Sequence, residues 1–111
     1  MKLSIVSTLF KSSPYIEEFH ARVNKVAREV VDNDDEIIFV NDGSPDNSLD
    51  LALQLKECDQ EHIIIIDLSR NFGHHKAMMT GLMQATGELT FLIDSDLEED
   101  PELLLVFAKQ M

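Results

Sequence analysis

Short apolar segments alternate with longer amphipathic segments along the chain, and this alternation constrains the fold more than any other feature of the sequence. The apolar segments, which have the composition of β-strands, are residues 3–9, 36–40, 63–68 and 89–93. The segments between them place apolar residues at helical spacing, most clearly between Ile16 and Val30. Strands that alternate with helices predict an α/β domain, with an open, mainly parallel sheet and helices on both of its faces.

Local features of the second half of the chain add further predictions. The strand at residues 63–68 is almost continuously apolar, which is typical of a strand buried on both faces. A third helix is expected from about His74 to Ala85, with Gly87 as its C-cap, and a fourth after Asp100-Pro101. The third helix has four large apolar residues that we expect in the core, namely Met78, Met79, Leu82 and Met83.

Length and composition restrict the possible partners. The chain of 111 residues fits one domain, residues 1–111, and its 44% apolar content is enough for a core. The net charge of −12 argues against a nucleic-acid partner, and it makes a divalent cation the expected companion of any phosphate ligand. The single cysteine, Cys58, and the lack of a signal-peptide pattern at the N-terminus lead us to expect a cytoplasmic protein.

Unusual polar residues follow each predicted strand. They are Thr8 to Ser12 after the first strand, Asn41 to Gly43 after the second, Ser69 to Asn71 after the third, and Asp94 to Asp96 after the fourth. The carboxyl ends of parallel strands share one edge of the sheet, and ligands bind at this edge in open α/β folds. The sequence therefore predicts a binding site where these four groups meet.

Asp94-Ser95-Asp96 is the most specific of these groups. Two carboxylates that are two residues apart at a strand end suit Mg²⁺ or Mn²⁺, which take oxygen ligands from one or two carboxylates and from substrate phosphates. Glu98 is a candidate third ligand. The alternative is that Asp96 or Asp100 caps the following helix and that Glu98 belongs to a solvated acidic helix start.

Two further residues are candidates for contact with a nucleotide. Asp42, between an apolar strand and Gly43, could accept hydrogen bonds from a base or ribose, or it could form an Asx-turn. Arg70, on a loop that leads into a helix N-terminus, could bind phosphate, or it could form a surface ion pair. His74 and His75 are adjacent on a helix and do not share a face, so a helix-start or solvent role is expected for them.

Taken together, these residues resemble family 2 glycosyltransferases of the GT-A fold, which is Rossmann-like. The matching stretches are Val40 to Asp46, Leu68 to His74, and Asp94 to Glu102. The resemblance is nearest to the branch that transfers sugar from a nucleotide to a polyprenyl phosphate, as in dolichyl-phosphate mannose synthases. Asn41 departs from the pattern, because it stands where the family usually has the first Asp of an Asp-Asp pair.

The resemblance implies a metal-dependent transferase that uses a UDP- or GDP-sugar and acts in cell-envelope polysaccharide synthesis. It implies that Thr8, Phe10 and Asp42 surround the base and ribose, and that Asp94 and Asp96 form a DxD motif, which binds the ion on the diphosphate. The family's catalytic acid and acceptor-binding half would lie beyond Met111. The chain is accordingly expected to be a truncated part of the enzyme, inactive alone, with apolar surface that favours self-association. The whole enzyme could associate with the cytoplasmic face of a membrane.

Two other functions fit the same pattern. One is a phospho-receiver module, which is also acidic, α/β and Mg²⁺-binding, although receivers pair acids after the first strand, where this chain has Thr8-Leu9-Phe10-Lys11. The other is a non-catalytic nucleotide-binding domain, which would need no divalent ion.

Overall fold

A computed structural model describes residues 2–32 and 34–93 of the chain. Strands and helices alternate in the predicted order. The elements are β1 (Leu3–Leu9), α1 (Ile16–Val31), β2 (Asp35–Asn41), α2 (Ser48–Cys58), β3 (Ile63–Asp67), α3 (His74–Gln84) and β4 (Leu89–Leu92). The expected fourth helix lies outside the described residues.

The four strands form one parallel sheet in the order β3-β2-β1-β4. The first three strands step across the sheet in one direction, and β4 then returns to the other side of β1. The direction of the connections therefore reverses between β1 and β4, and ligands bind at such a switch point in doubly wound folds. The predicted parallel α/β architecture is confirmed.

Helices cover both faces of the sheet, as predicted. On one face α1 and α2 enclose the larger core cluster, in which Phe19 packs edge-on against Phe39 with 6.2 Å between ring centroids. On the other face α3 covers a smaller cluster of four buried residues, namely Val6, Ile38, Val40 and Ala77. None of the helices in the described part of the chain has the length and apolar character needed to cross a membrane.

The contact between α3 and the sheet is made by small residues. Ala77 and Gly81 are buried, and a Cβ on Gly81 would lie 2.9 Å from Cγ2 of Val40 and closer still to Cγ1 of Val6. The larger apolar residues are on the outer side, where Met79 and Leu82 are exposed and Met83 is 81% exposed. The expectation that these three residues form core is wrong, because the helix lies too close to the sheet for large side chains. Met78 is half-buried against the small cluster, nearer to that expectation.

β3 is the outer strand of the described sheet and pairs with β2. Ile63 is fully buried, but Ile64 points to the other face and is 36% exposed. The prediction of burial on both faces is therefore wrong for this strand. α2 packs over one face of β3, whereas the cover that α3 gives the sheet is centred on β1 and β2.

Gly87 connects α3 to β4, but it is not the C-cap of α3, which is Ala85. Its N–H donates to the Ser4 hydroxyl at 2.7 Å, and the same hydroxyl donates to the Glu36 carboxylate at 2.6 Å. A Cβ on Gly87 would lie 2.6 Å from the Ser4 oxygen. The glycine is therefore required by a close approach to β1, which a sequence pattern at a helix end does not reveal.

Candidate functional site

The predicted nucleotide-contact residues lie at one edge of the sheet. We call this edge the carboxyl rim, and define it as residues 10–15 after β1, residues 42–47 after β2, residues 68–73 after β3, and Ile93 after β4. Thr8 lies just below it at the end of β1, buried, with its hydroxyl oxygen 3.1 Å from Nδ1 of His74. This contact of His74 is not predictable from local sequence, because a residue in β1 and the start of α3 meet only in the folded chain.

Asp42 forms hydrogen bonds with the loop after β3 and with the end of β1. It is only 2% exposed, and its Oδ1 accepts a hydrogen bond from the Phe72 N–H at 2.8 Å. Its own N–H donates to the Leu9 carbonyl at 3.0 Å. The next residue, Gly43, has a φ of +65°, and a Cβ there would lie 2.7 Å from the carbonyl carbon of Arg70. Asp42 and Gly43 thus fix the loop that carries Arg70 and Phe72.

Two pairs of a cation with an aromatic ring project from the rim. The Arg70 guanidinium lies 4.8 Å from the centroid of the Phe72 ring, and both residues are exposed. The Lys11 ammonium lies 5.6 Å from the Phe10 ring, and Phe10 is 43% exposed. Aromatic faces can stack on a base or sugar, and guanidinium and ammonium groups bind phosphate oxygens. The rim therefore presents the side-chain types that a nucleotide requires.

Asn41 and Asp67 end neighbouring strands and are paired in the register of β2 with β3. The Asn41 amide donates from Nδ2 to the Asp67 carboxylate at 3.0 Å, and its Oδ1 accepts from the Ser44 N–H at 3.4 Å. An amide can do both, because it has a donor and an acceptor. Asn41 stands where the family usually has the first Asp of a pair, and its amide suits the acid on the adjacent strand, Asp67.

Asp46 is a centre of the rim to which the sequence analysis assigned no site role. Its carboxylate accepts hydrogen bonds from the Ser44 hydroxyl, from the Ser48 hydroxyl at 2.5 Å, from the Ser48 N–H at 3.0 Å and from the Ser13 N–H at 3.1 Å. Burial acts to raise the pKa of Asp46, but these hydrogen bonds outweigh it and hold the pKa well below its ordinary value. The signal in the sequence is a carboxylate with a serine two residues before it and two residues after it.

A second group of titratable side chains lies at the opposite, amino end of the sheet. Asp35 is fully buried and forms an ion pair with Arg28, and the Asp59 carboxylate lies 2.7 Å from Nδ1 of His62. Burial raises the pKa of Asp35, although attraction to Arg28 and His62 opposes the rise. Burial lowers the pKa of His20, against the attraction of Asp59 and Asp35. This group is remote from the rim, so we assign it to the stability of the fold and not to ligand binding.

The predicted metal ligands Asp94, Asp96 and Glu98 lie outside the described residues. Within residues 2–32 and 34–93 there is no group of three His, Cys, Asp or Glu side chains that could hold a metal ion. The described chain ends at Ile93, whose N–H donates to the Val6 carbonyl at 3.1 Å. Ile93 thus lies beside β1 at the switch point, and Asp94 is the next residue in the sequence.

Comparison with known proteins identifies relatives of the whole chain. A model of the family described as Glycosyl transferase family 2 matches residues 4–111. A Mycobacterium tuberculosis protein that bears the name of a glycosyltransferase is 56% identical over 111 residues. The match covers 100% of this chain and 32% of the relative, so the chain spans about a third of the relative's length. These matches favour a transferase over a receiver module.

Solved structures have the same fold. S. aureus TarS superimposes with a TM-score of 0.78 at 25% identity, over 98% of this chain and 32% of that chain. TarS in complex with UDP-GlcNAc gives a TM-score of 0.73 at 26% identity, over 86% and 27%. The mannosyltransferase PcManGT from Pyrobaculum calidifontis, in complex with GDP-Man and Mn²⁺, gives 0.77 at 20% identity, over 86% and 27%.

Proposed function

Because the chain belongs to glycosyl transferase family 2, we propose that it forms the donor-binding part of a glycosyltransferase that uses a nucleotide-diphospho-sugar and a divalent metal ion. The family match and the relative at 56% identity support transferase activity for the whole protein. Its donor, metal and acceptor are the subject of the proposal, since the chain spans 32% of that relative.

The observation that carries the proposal is the pair of cation–aromatic contacts on the rim. Phe10 with Lys11 and Phe72 with Arg70 offer two ring faces and two positive charges beside the switch point. In a chain with a net charge of −12, the exposed Arg70 guanidinium at this edge is a feature that a diphosphate would use. TarS, which has the same fold, has been crystallised with UDP and with UDP-GlcNAc.

Each predicted nucleotide residue has a role in this proposal. Thr8 and Phe10 form the floor and one wall of the base pocket, and Arg70 contacts the diphosphate. Asp42, buried and bonded to the Phe72 N–H, positions the Arg70 loop, and in this proposal its remaining acceptor capacity serves the base or ribose. The first turn of α3 contains His74, His75 and Lys76 and no acid, so it too would attract an anion.

The metal ion would be held by Asp94 and Asp96, with Glu98 as a third ligand. Their carboxylate oxygens are the donors that Mg²⁺ and Mn²⁺ prefer, and these residues follow Ile93 at the switch point. PcManGT, which shares the fold, binds Mn²⁺ with its donor. When bound, such an ion supplies Lewis-acid neutralisation of the diphosphate leaving group.

The acceptor in this proposal is a polyprenyl phosphate at the cytoplasmic face of a membrane. It rests on the likeness of the stretches at Val40, Leu68 and Asp94 to the polyprenyl-phosphate branch of the family. The reaction would displace the nucleoside diphosphate from the anomeric carbon by an acceptor oxygen. We assign none of the described residues of the rim as the group that activates this oxygen.

Thermal unfolding with and without ligands tests the donor and metal together. UDP or GDP should raise the melting temperature only when Mg²⁺ or Mn²⁺ is present. At a ligand concentration of 100 times Kd, the stabilisation should be about 2.7 kcal/mol. Asp94→Ala and Asp96→Ala should each abolish the metal-dependent part.

The matched control is Glu57→Ala, which removes an exposed acid near the end of α2 and away from the rim. This variant should keep the full shift. An unchanged shift in both Asp94→Ala and Asp96→Ala would reject the metal assignment, and the lack of any shift with UDP or GDP would reject the donor.

A further inference from the structure

Three consecutive backbone N–H groups in the loop after β1 are held by side chains of the loop after β2 and of the first residue of α2. The Lys11 N–H donates to the Ser44 hydroxyl at 2.8 Å, the Ser12 N–H to the Ser48 hydroxyl at 2.9 Å, and the Ser13 N–H to the Asp46 carboxylate at 3.1 Å. Consecutive N–H groups of this kind form a concave site that commonly binds an external anion. Here the protein itself fills that site.

The carboxylate of Asp46 is the end point of all three contacts. The hydroxyls of Ser44 and Ser48 donate to its Oδ1, which leaves their oxygen lone pairs for the N–H groups of Lys11 and Ser12. The carboxylate polarises each serine hydroxyl, so the serine oxygen becomes a stronger acceptor for the backbone N–H that it binds. Hydrogen bonds arranged in series strengthen one another in this way. We call Ser44, Asp46 and Ser48 together the Asp46 clamp.

The clamp determines the position of residues that project from the rim. Lys11 has a φ of +55°, an uncommon conformation for a residue with a side chain, and its N–H is one of those held. The preceding Phe10 donates its N–H to the Ser12 hydroxyl at 3.2 Å, and the Ser12 backbone is held by Ser48. Phe10 and Lys11 can thus be exposed and still have a defined backbone.

We propose that Asp46 is a positioning residue for recognition of the donor's nucleoside, because it fixes through Ser44 and Ser48 the loop that presents Phe10 and Lys11. This inference rests on the proposed function. It assigns the clamp to the base end of the donor and not to the diphosphate, since the three N–H groups that could bind phosphate are already occupied. Asp46 itself touches no ligand.

Binding measurements on the full chain with three probes in the presence of Mn²⁺ test the inference. The probes are UDP, GDP and inorganic pyrophosphate. Asp46→Asn removes the negative charge that strengthens the hydrogen bonds from Ser44 and Ser48, and with its amide oxygen on the serines it presents a donor to the Ser13 N–H, so that bond is lost as well. Its affinity for the nucleotide that the wild type binds should fall about tenfold, and its affinity for pyrophosphate should change less than about twofold.

The matched control is Asp50→Asn, which neutralises an exposed acid in the first turn of α2. It should bind all three probes as the wild type does. If Asp46→Asn folds poorly, Ser44→Ala and Ser48→Ala each remove one link of the clamp, and amide hydrogen exchange should become faster at Lys11 or Ser12, respectively.

The outcomes separate this inference from the proposed function. Equal loss of affinity for nucleotide and pyrophosphate in the clamp variants would overturn the inference, as would wild-type nucleotide affinity in all of them. Failure of the wild type to bind UDP or GDP with Mn²⁺ would instead reject the proposed function.

Discussion

Arg70 is the exposed residue of the rim for which a single substitution is most informative. Its guanidinium lies against the Phe72 ring, so its position is set by an aromatic face as well as by the loop that Asp42 holds. Arg and Lys differ at such a site, since only the planar guanidinium can both stack and bind two phosphate oxygens.

Arg70→Ala should weaken binding of nucleoside diphosphate about tenfold or more and leave binding of the nucleoside nearly unchanged, because the contact is with phosphate. Titration calorimetry with both ligands gives the comparison. Lys25→Ala, which removes an exposed cation of α1, is the control for net charge. Equal losses for the two ligands would contradict contact between Arg70 and phosphate.

Asn41 shows how one residue is matched to its neighbour in the fold. Asn41→Asp should place a second carboxylate against Asp67 and destabilise the protein at neutral pH by about 1 kcal/mol, because a part-buried hydrogen bond is replaced by repulsion. Urea unfolding measures the change. Asp67→Asn in the same chain restores one amide and one carboxylate, and this double variant should recover most of the stability. No recovery would mean that Asn41 acts through another contact.

His20 provides a pH dependence whose sign is fixed by its environment. Burial lowers the folded-state pKa below the ordinary 6.5, so near and below that pH the unfolded chain binds more protons than the folded one. The stability supplied by neutral His20 is fully present above pH 6.5 and is lost as the pH falls through the folded-state pKa. The charges of Asp59, Arg28 and Asp35 act on the pKa of His20, and all three residues are unchanged in a variant of His20.

The difference in unfolding free energy between wild type and His20→Gln isolates this contribution. The wild type should lose stability relative to the variant as the pH is lowered from 7.5 to 5.5, as measured by urea unfolding at each pH. Parallel curves over this range would show that His20 is protonated equally in the folded and unfolded states.

At the scale of whole elements, the sequence predicts well those features that depend on hydrophobic periodicity and on turn-forming residues. The alternation of strands and helices and the gathering of Thr8, Phe10, Asp42 and Arg70 at one edge follow from local pattern and from the geometry of parallel sheets. The position of an element among its neighbours does not follow. An apolar run such as Ile63 to Ile66 is compatible with both a central and an outer strand. Its sequence does not show its position in the sheet, because the strands that pair with it are determined by the rest of the chain.

α3 illustrates the same limit for a helix. Hydrophobicity suggests that its methionines face the core, whereas the face against the sheet is Ala77 and Gly81, one turn apart. Small residues permit the close approach, and a helix pattern built on large apolar residues does not mark Gly81 as part of the buried face. The clamp at Asp46 was missed for a related reason, because its hydrogen bonds join segments that are adjacent only in space.

Substitutions on α3 test this packing. Gly81→Ala would stabilise an isolated helix by about 1 kcal/mol, but here the added methyl meets Val6 and Val40, and overpacking costs about 1–3 kcal/mol. We expect net destabilisation, measured by thermal unfolding. Met83→Ala on the outer face should change stability by less than about 0.5 kcal/mol. A large loss at Met83 with none at Gly81 would mean that the faces are reversed.

At the scale of the whole molecule, charge and chain length decide what the described residues can do alone. The chain has 21 acids against 9 Lys and Arg, and in our proposal this excess makes diphosphate binding depend on an ion. The chain spans 32% of its Mycobacterium tuberculosis relative, and in our proposal the rim supplies the donor site only.

A polypeptide limited to these 111 residues should therefore bind nucleoside diphosphate with Mn²⁺ and transfer no sugar. Holding an acceptor oxygen near the anomeric carbon is worth about 7–11 kcal/mol, and in our proposal residues other than these 111 provide that hold. Acceptor-dependent release of nucleoside diphosphate, measured beside a protein of the relative's length, gives the comparison. Equal rates in the two proteins would place the acceptor site within the 111 residues.

The place of β4 beside β1 has a consequence for how the chain acquires its structure during synthesis. β2 and β3 can pair as soon as they leave the ribosome, but the first strand made must wait for the fourth before its second edge is covered. Contacts between distant segments form slowly, because closing a long loop costs entropy. An open strand edge is a template for aggregation in the meantime. Nascent chains stalled before residue 89 should accordingly depend more on chaperones than chains stalled shortly after β4 has emerged.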